Sequence, residues 1–120
     1  MLVVDDSEAV RQVAKMMLED LGFSVMLAEN GAAALDLFRV HHSNLALVIL
    51  DMTMPGLSGE ETLQLMLKID AGARVVISSG YSEREVAARL AAQKVAGFLP
   101  KPYSPALMRE MLATALPAAK

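Results

Sequence analysis

The chain has 120 residues, of which 54% are hydrophobic and 21% charged, and its formal net charge is −3 at pH 7. This length suits one compact domain over residues 1–120, and the hydrophobic fraction excludes a disordered chain. The acidic balance argues against direct nucleic-acid binding, and the lack of cysteine excludes disulfides and thiolate chemistry. The longest apolar run, Leu45–Leu50, is far shorter than the roughly 20 residues of a transmembrane helix. We therefore expect a cytoplasmic domain that does not insert into a membrane.

Short apolar runs alternate along the chain with longer segments of helical periodicity. The runs are continuous, which is typical of parallel strands covered on both faces. They predict five strands, at Leu2–Val4, Phe23–Ala28, Leu45–Leu50, Arg74–Ser78 and Gly97–Leu99.

Each intervening segment carries a helix start signal, either a capping side chain or a tight turn. The five predicted helices follow Ser7, Asn30-Gly31, Ser58 with Glu61, Ser82 with Glu85, and Ser104-Pro105. The first ends at Gly22 and the third near Ile69. The apolar stripes that we expect to face inward comprise Val10, Val13, Ala14, Met17, Leu18 and Leu21 on the first helix, Ala34, Leu35 and Phe38 on the second, Val86, Ala87 and Leu90 on the fourth, and Leu107, Met108, Met111 and Leu112 on the fifth.

Five βα units in strict alternation predict an α/β fold, with a doubly wound parallel sheet flanked by five helices. Five units are too few for an eight-fold barrel. Ligands of such open sheets bind beyond the carboxyl ends of the strands.

Polar side chains follow four of the predicted strands at the point where each ends. Asp5-Asp6 follow the first strand, Asp51 the third, Ser79 the fourth and Lys101 the fifth. Converging carboxylates repel one another and are typical ligands of Mg²⁺, while Lys101 supplies a positive point charge. An aspartate can act as a nucleophile and form an aspartyl phosphate. This pattern favours phosphoryl transfer, with Asp51 as the best candidate nucleophile because it is the single acid on a middle strand.

Four segments of the chain carry a family resemblance. They are LVVDDSEAVRQ, VILDMTMPGLSGEE, VVISSGYS and GFLPKPYS, and they resemble the receiver domains of two-component response regulators. The match covers essentially the whole chain, and the Asp-x-x-Met-Pro-Gly-x-x-Gly pattern from Asp51 to Gly59 is highly specific. The resemblance implies the flavodoxin-like strand order 2-1-3-4-5.

The resemblance also implies roles at the metal and phosphoryl site. Asp51 is expected to be the phosphoacceptor and a Mg²⁺ ligand. Asp6 is expected to bind Mg²⁺ directly, Asp5 to hold it largely through water, and the backbone carbonyl of Thr53 to complete the protein ligands. Lys101 is expected to bind the phosphoryl group.

Further implied roles concern switching and tuning. Ser79 is the expected switch hydroxyl, where threonine is commoner, and Phe98 the second switch residue, where tyrosine is frequent. Gly80 should leave the acyl phosphate open, and Tyr81 should tune its hydrolysis. The peptide bond to Pro102 is expected to be cis.

The resemblance implies a histidine kinase or phosphotransfer protein as partner, and Mg²⁺-dependent phosphorylation and dephosphorylation catalysed by the domain itself. The face formed by the fourth helix, fifth strand and fifth helix would change and could meet a partner or form a homodimer. The stretches SSGYS and GFLPKPYS favour a receiver attached to a hybrid sensor histidine kinase, which could be membrane-anchored, over a stand-alone regulator.

Three other readings compete with a phosphorylated receiver. A degenerate receiver would act as a phosphorylation-independent interaction module, although the intact acids and lysine argue against it. A phosphatase with an aspartate nucleophile usually has a second aspartate where Thr53 stands. A flavin-binding domain would need a phosphate loop that Asp5-Asp6-Ser7 does not supply.

Overall fold

The protein is described here by a computed structural model that covers residues 1–52, 56–80 and 95–116. Its strands are β1 (Leu2–Val4), β2 (Met26–Ala28), β3 (Val48–Asp51), β4 (Val75–Ser79) and β5 (Gly97–Pro100). Its helices are α1 (Glu8–Asp20), α2 (Gly31–His41), α3 (Gly59–Ile69) and α4 (Pro105–Ala115), with a 3-10 helix at His42–Asn44. The α4 helix corresponds to the fifth helix predicted from the sequence, and the predicted fourth helix, with Val86, Ala87 and Leu90, lies outside the described residues.

The five strands form one sheet in the order β2-β1-β3-β4-β5. All four neighbouring pairs are parallel. The predicted doubly wound sheet and its strand order are therefore confirmed. Parallel strands place all their carboxyl ends at the same edge, which is where the polar residues follow the strands.

The helix starts agree with the capping signals in the sequence. The side chains of Ser7, Asn30 and Ser104 each accept a hydrogen bond from the first turn of their helix. Ser58 and Glu61 form a reciprocal capping box at the start of α3. These local bonds satisfy backbone N–H groups that the helix itself leaves unpaired.

The sheet separates two apolar layers, as the alternation of side chains along each strand requires. One layer packs α2 and α3 through Phe38, Leu63 and Met66 against Leu50 and Ile77. The other packs α1 and α4, through Ala14, Leu18, Met108 and Met111, against Ile49, Val76 and Leu99. Within the described part of the chain, no helix is both long enough and apolar enough to cross a membrane.

Several strand boundaries differ from the prediction. The fourth strand begins at Val75 and not at Arg74, and the fourth and fifth strands each end one residue later than predicted, at Ser79 and Pro100. Two starts differ by three residues. The second strand begins at Met26 and not at Phe23, because Phe23 N–H donates to the Leu18 carbonyl and so belongs to the turn that ends α1. That turn includes Gly22, whose φ of 93° confirms the left-handed cap. The third strand begins at Val48 and not at Leu45, because the N–H of Leu45 donates to the His42 carbonyl and so closes the 3-10 helix.

The apolar stripes of two helices are wider than the surfaces that these helices bury. Ala14 and Leu18 of α1 are buried, whereas Val13 is 41% exposed and Leu21, just after the helix, is 38% exposed. On α4, Leu107 was predicted to face inward but is 37% exposed. The predicted inward face of α2 is buried as expected.

Candidate functional site

Strand register brings the polar residues to the carboxyl edge of the sheet. Val4 of β1 pairs with Leu50 of β3, so Asp5 and Asp51 are the next residues on neighbouring strands. Asp51 pairs with Ser78 of β4, and Ser79 pairs with the last residue of β5. Lys101 comes immediately after β5, and it therefore reaches the same edge.

Three carboxylates converge at this edge. Oxygen atoms of Asp5, Asp6 and Asp51 all lie within 4.8 Å of one another. Asp5 is 1% exposed and Asp51 is 3% exposed, whereas Asp6 is open to solvent. A set of hard oxygen donors that is open on one side fits Mg²⁺, which retains several waters and binds few protein carboxylates.

Lys101 contacts both buried acids. Its Nζ lies 2.7 Å from Asp5 Oδ2 and 3.2 Å from Asp51 Oδ1. Burial alone would lower the pKa of Lys101, but the hydrogen bond to Asp5 and the negative charges of Asp51 and Asp5 outweigh it and leave the pKa above its ordinary value. The ammonium therefore stays charged at neutral pH, which makes it a fixed cation beside Asp51.

Asp5 is held in place by the start of α1. One of its carboxylate oxygens accepts from the backbone N–H of Ser7 at 2.9 Å, and its backbone carbonyl accepts from Arg11 Nη1 at 2.8 Å. The other carboxylate oxygen contacts Lys101. One oxygen of Asp5 is therefore hydrogen-bonded to the backbone, and the other is buried with Lys101 as its ionic contact but without a well-aligned hydrogen bond. Asp6 presents its carboxylate to solvent.

Gly59 allows the start of α3 to lie directly against the backbone of Asp51. Its N–H donates to the Met52 carbonyl at 3.2 Å. A Cβ at this position would collide with the Asp51 carbonyl oxygen and lie 2.6 Å from Met52 Cα. The sequence pattern included this glycine but assigned it no role; its place at the end of the Asp51 motif was the available signal.

The predicted switch residues lie on neighbouring strands. Ser79 is buried at the end of β4, and Phe98 of β5 pairs with Ile77 and packs against the α2 and α3 layer. A side chain at Gly80 would meet open space. Strand alternation directs Ser79 and Phe98 toward the same sheet face.

Three further predictions concern the residues around this site. The Lys101–Pro102 peptide bond is cis, the geometry that the resemblance implies. The predicted carbonyl ligand of Thr53 and the predicted tuning residue Tyr81 lie outside the described residues.

Sequence reasoning missed a hydroxyl pair beside the site. Ser78 Oγ lies 2.5 Å from the Tyr103 hydroxyl. Burial raises the pKa of Tyr103 to about 12, against the opposing effects of the Ser78 hydrogen bond and the Lys101 charge. The available signal was a serine at an otherwise apolar strand position and a tyrosine two residues after the lysine.

The chain is similar in sequence to a known protein family and to individual known proteins. The family model of the response regulator receiver domain matches residues 1–113. The sensor kinase CckA of Brucella abortus is 33% identical over 103 residues, which cover 86% of this chain and 11% of the kinase. The chemotaxis protein CheY of Bacillus subtilis is also 33% identical over 103 residues, which cover 85% of this chain and 84% of CheY.

A solved structure is also similar to this chain in fold and in sequence. The response regulator protein TrrA of Thermotoga maritima, crystallised in complex with Mg²⁺-BeF, has a TM-score of 0.82 and 31% sequence identity, with 96% of each chain covered. This chain therefore spans 11% of the length of the sensor kinase, but most of the length of CheY and of the TrrA chain.

Proposed function

This chain belongs to the response regulator receiver domain family, and we propose that it is a signalling switch that accepts a phosphoryl group on Asp51. One observation carries the proposal: Asp51 is buried within a cluster of three carboxylates and in contact with a lysine ammonium. A buried acid beside a fixed cation is positioned to attack an electron-poor phosphorus.

The transfer itself requires little covalent help from the protein. A carboxylate oxygen of Asp51 forms a bond to phosphorus as the bond from phosphorus to the donor's leaving atom breaks. Lys101 neutralises negative charge on the transferred oxygens, and the Ser79 hydroxyl donates a hydrogen bond to one of them. When bound, Mg²⁺ supplies positive charge that screens the phosphoryl oxygens from the carboxylates.

The two acids after β1 would hold Mg²⁺ in different ways. Asp6 presents a solvent-exposed carboxylate and would bind the ion directly. Asp5 already accepts from Ser7 N–H and contacts Lys101, so it would act largely through water. Asp51 would be the third carboxylate ligand, with the Thr53 carbonyl as the remaining protein ligand. The TrrA complex with Mg²⁺-BeF supports Mg²⁺ as the ion bound at this site.

A cleft lies beside Asp6, the exposed acid of the cluster. Its volume is about 610 Å³, and its lining includes Asp6, Glu29, Asn30, Ala32, Gly56 and Leu57. The phosphoryl donor would be a phosphohistidine of a histidine kinase or phosphotransfer protein, since relatives of this chain include a sensor kinase. Attachment to such a kinase on the cytoplasmic side of a membrane is part of the proposal.

Phosphorylation would then shift the balance between two conformations. Ser79 would move toward the phosphoryl group and Phe98 would fill the space it leaves. Phe98 lines a groove of about 330 Å³ together with residues of α4, among them Leu107 and Met111. A change at this groove would alter the face offered to a partner or to a second copy of the domain.

The proposal is tested by intact mass after incubation with Mg²⁺ and a small acyl-phosphate donor. We expect a single phosphoryl adduct that requires Mg²⁺ and is absent from Asp51→Asn. The matched control is Asp36→Asn, which removes the same charge from an exposed position on α2. An equal adduct on Asp51→Asn would overturn the assignment of the acceptor. A parent that takes no adduct and does not respond to beryllium fluoride would indicate a degenerate receiver.

A further inference from the structure

The hydroxyl pair of Ser78 and Tyr103 lies on the sheet face opposite to that of Ser79. Ser78 lies two residues after Val76 on β4, so the two side chains share one face of the sheet, and Ser78 is fully buried. Tyr103 packs against the layer formed by α1 and α4. Among the described residues, the structure gives Ser78 Oγ a single hydrogen-bond partner, the Tyr103 hydroxyl.

This hydrogen bond joins the segment that carries Lys101 to the strand beside Asp51. Tyr103 is two residues after Lys101, and Ser78 is the register partner of Asp51. A second bond holds the segment on its other side, because Lys101 N–H donates to the Ser79 carbonyl at 3.0 Å. The backbone that carries the lysine is thereby tied to β4 both at Lys101 and just beyond it.

We propose that Ser78 and Tyr103 are positioning residues that hold the Lys101 ammonium against Asp5 and Asp51. The inference rests on the proposed phosphoryl transfer and adds to it two residues that touch neither the acids nor the transferred group. A lysine side chain has many rotamers, so its charge is useful at a fixed point only if its backbone is fixed. The hydrogen bond between Ser78 and Tyr103 fixes the backbone that carries Lys101, because it joins the segment after β5 to the neighbouring strand β4.

Two substitutions remove the hydrogen bond with little change in shape. Tyr103→Phe keeps the ring, which lines the apolar groove between α1 and Lys101-Pro102. Ser78→Ala removes the other hydroxyl. The matched control is Thr114→Val, which removes an exposed α4 hydroxyl that donates to the Glu110 carbonyl far along the helix. Neither test variant changes any charge.

The first measurement is the initial rate of Mg²⁺-dependent phosphorylation by a small acyl phosphate. We expect each test variant to be about three- to ten-fold slower, the range that one net hydrogen bond allows. The double variant should be no slower than the slower single variant, because both substitutions break the same bond. Thr114→Val should match the parent.

The second measurement is Mg²⁺ affinity by calorimetry without any phosphoryl donor. A lysine held at the acids repels a divalent cation, so a loosened lysine should let Mg²⁺ bind about two- to three-fold more tightly. Lys101→Gln, which removes the charge, sets the upper limit of this gain. A general loss of structure would weaken Mg²⁺ binding instead.

The two measurements separate this inference from the proposed function. A parent that takes no phosphoryl group refutes the proposed function and leaves the Mg²⁺ affinities to decide the inference. Slower phosphorylation together with tighter Mg²⁺ binding in both test variants supports it. Unchanged or weaker Mg²⁺ binding in both variants overturns it, whatever happens to the rate.

Discussion

Each edge of the sheet has a contact between acidic and basic side chains. The two contacts differ in the number of acids that the basic side chain contacts and in how deeply these acids are buried. At the carboxyl edge, Lys101 serves both Asp5 and Asp51, which are almost completely buried. At the amino edge, His42 Nδ1 lies 2.9 Å from Asp70 Oδ2, and these side chains are 33% and 31% exposed. The second contact joins the ends of α2 and α3.

The difference in burial decides how much each contact matters to folding. A partly solvated pair contributes little to folding and costs little to break. Two buried carboxylates that contact the same ammonium repel each other in a region of low dielectric. Such an edge is costly unless a further cation can bind, which is the property that the proposed function requires.

The largest expected effect is that of removing the lysine. Lys101→Gln leaves two buried carboxylates without their cation, and breaking a buried pair in this way should lower the free energy of unfolding by about 3 kcal/mol without Mg²⁺. Chemical denaturation measures this loss. Saturating Mg²⁺ should restore part of it, and a loss no larger than that of a His42 variant would erase the contrast between the edges.

A smaller loss is expected from the packing beneath Asp51. Gly59→Ala should destabilise the protein by about 2 kcal/mol, because the new methyl group would overlap the backbone of Asp51 and Met52. Gly80→Ala lies at the same edge, where a Cβ meets open space, and is the control. Equal stabilities of the two alanine variants in denaturation would show that the helix start can retreat from the acids without penalty.

The alkaline pH dependence should reveal the hydroxyl pair. The folded pKa of Tyr103 is raised to about 12 by burial, above its ordinary value, so the folded state binds more protons and loses stability as pH rises between these values. The stability advantage of the parent over Tyr103→Phe should shrink by about 1.4 kcal/mol between neutral pH and pH 11. Denaturation at several pH values measures it; a constant difference would mean that Tyr103 titrates normally.

The smallest effect is expected at the amino edge. His42→Gln should change the free energy of unfolding by less than about 1 kcal/mol, since both partners of this pair remain partly solvated. The phosphorylation rate should be that of the parent. A loss as large as that of Lys101→Gln would mean that the pair at the helix ends is as important to folding as the carboxyl edge.

Much of the fold was predictable because its signals are local. The residue that caps the start of each described α-helix bonds to the turn that follows it, so Ser58 and Glu61 revealed their role within a few residues of sequence. The gathering of Asp5, Asp51 and Lys101 was predictable for a geometric reason, since parallel strands bring their carboxyl ends together. The strand order came from the family resemblance and was confirmed.

Other features depended on contacts between distant segments. Leu107 continues an apolar stripe, but the width of the surface that α4 covers leaves it 37% exposed. This outcome cannot be read from a local window of sequence, because it depends on how much of α4 the neighbouring elements cover.

The sequence by itself determined the alternation of strands and helices, the helix starts and the set of polar residues at one edge. Only the tertiary structure decided that Lys101 contacts both Asp5 and Asp51, that Gly59 must lack a side chain, and that Tyr103 reaches Ser78. Periodicity and capping act over a few residues and can be read from the chain. Charge pairing, close backbone approach and buried hydroxyl contacts depend on distances in space between strands, which the order of residues alone does not contain.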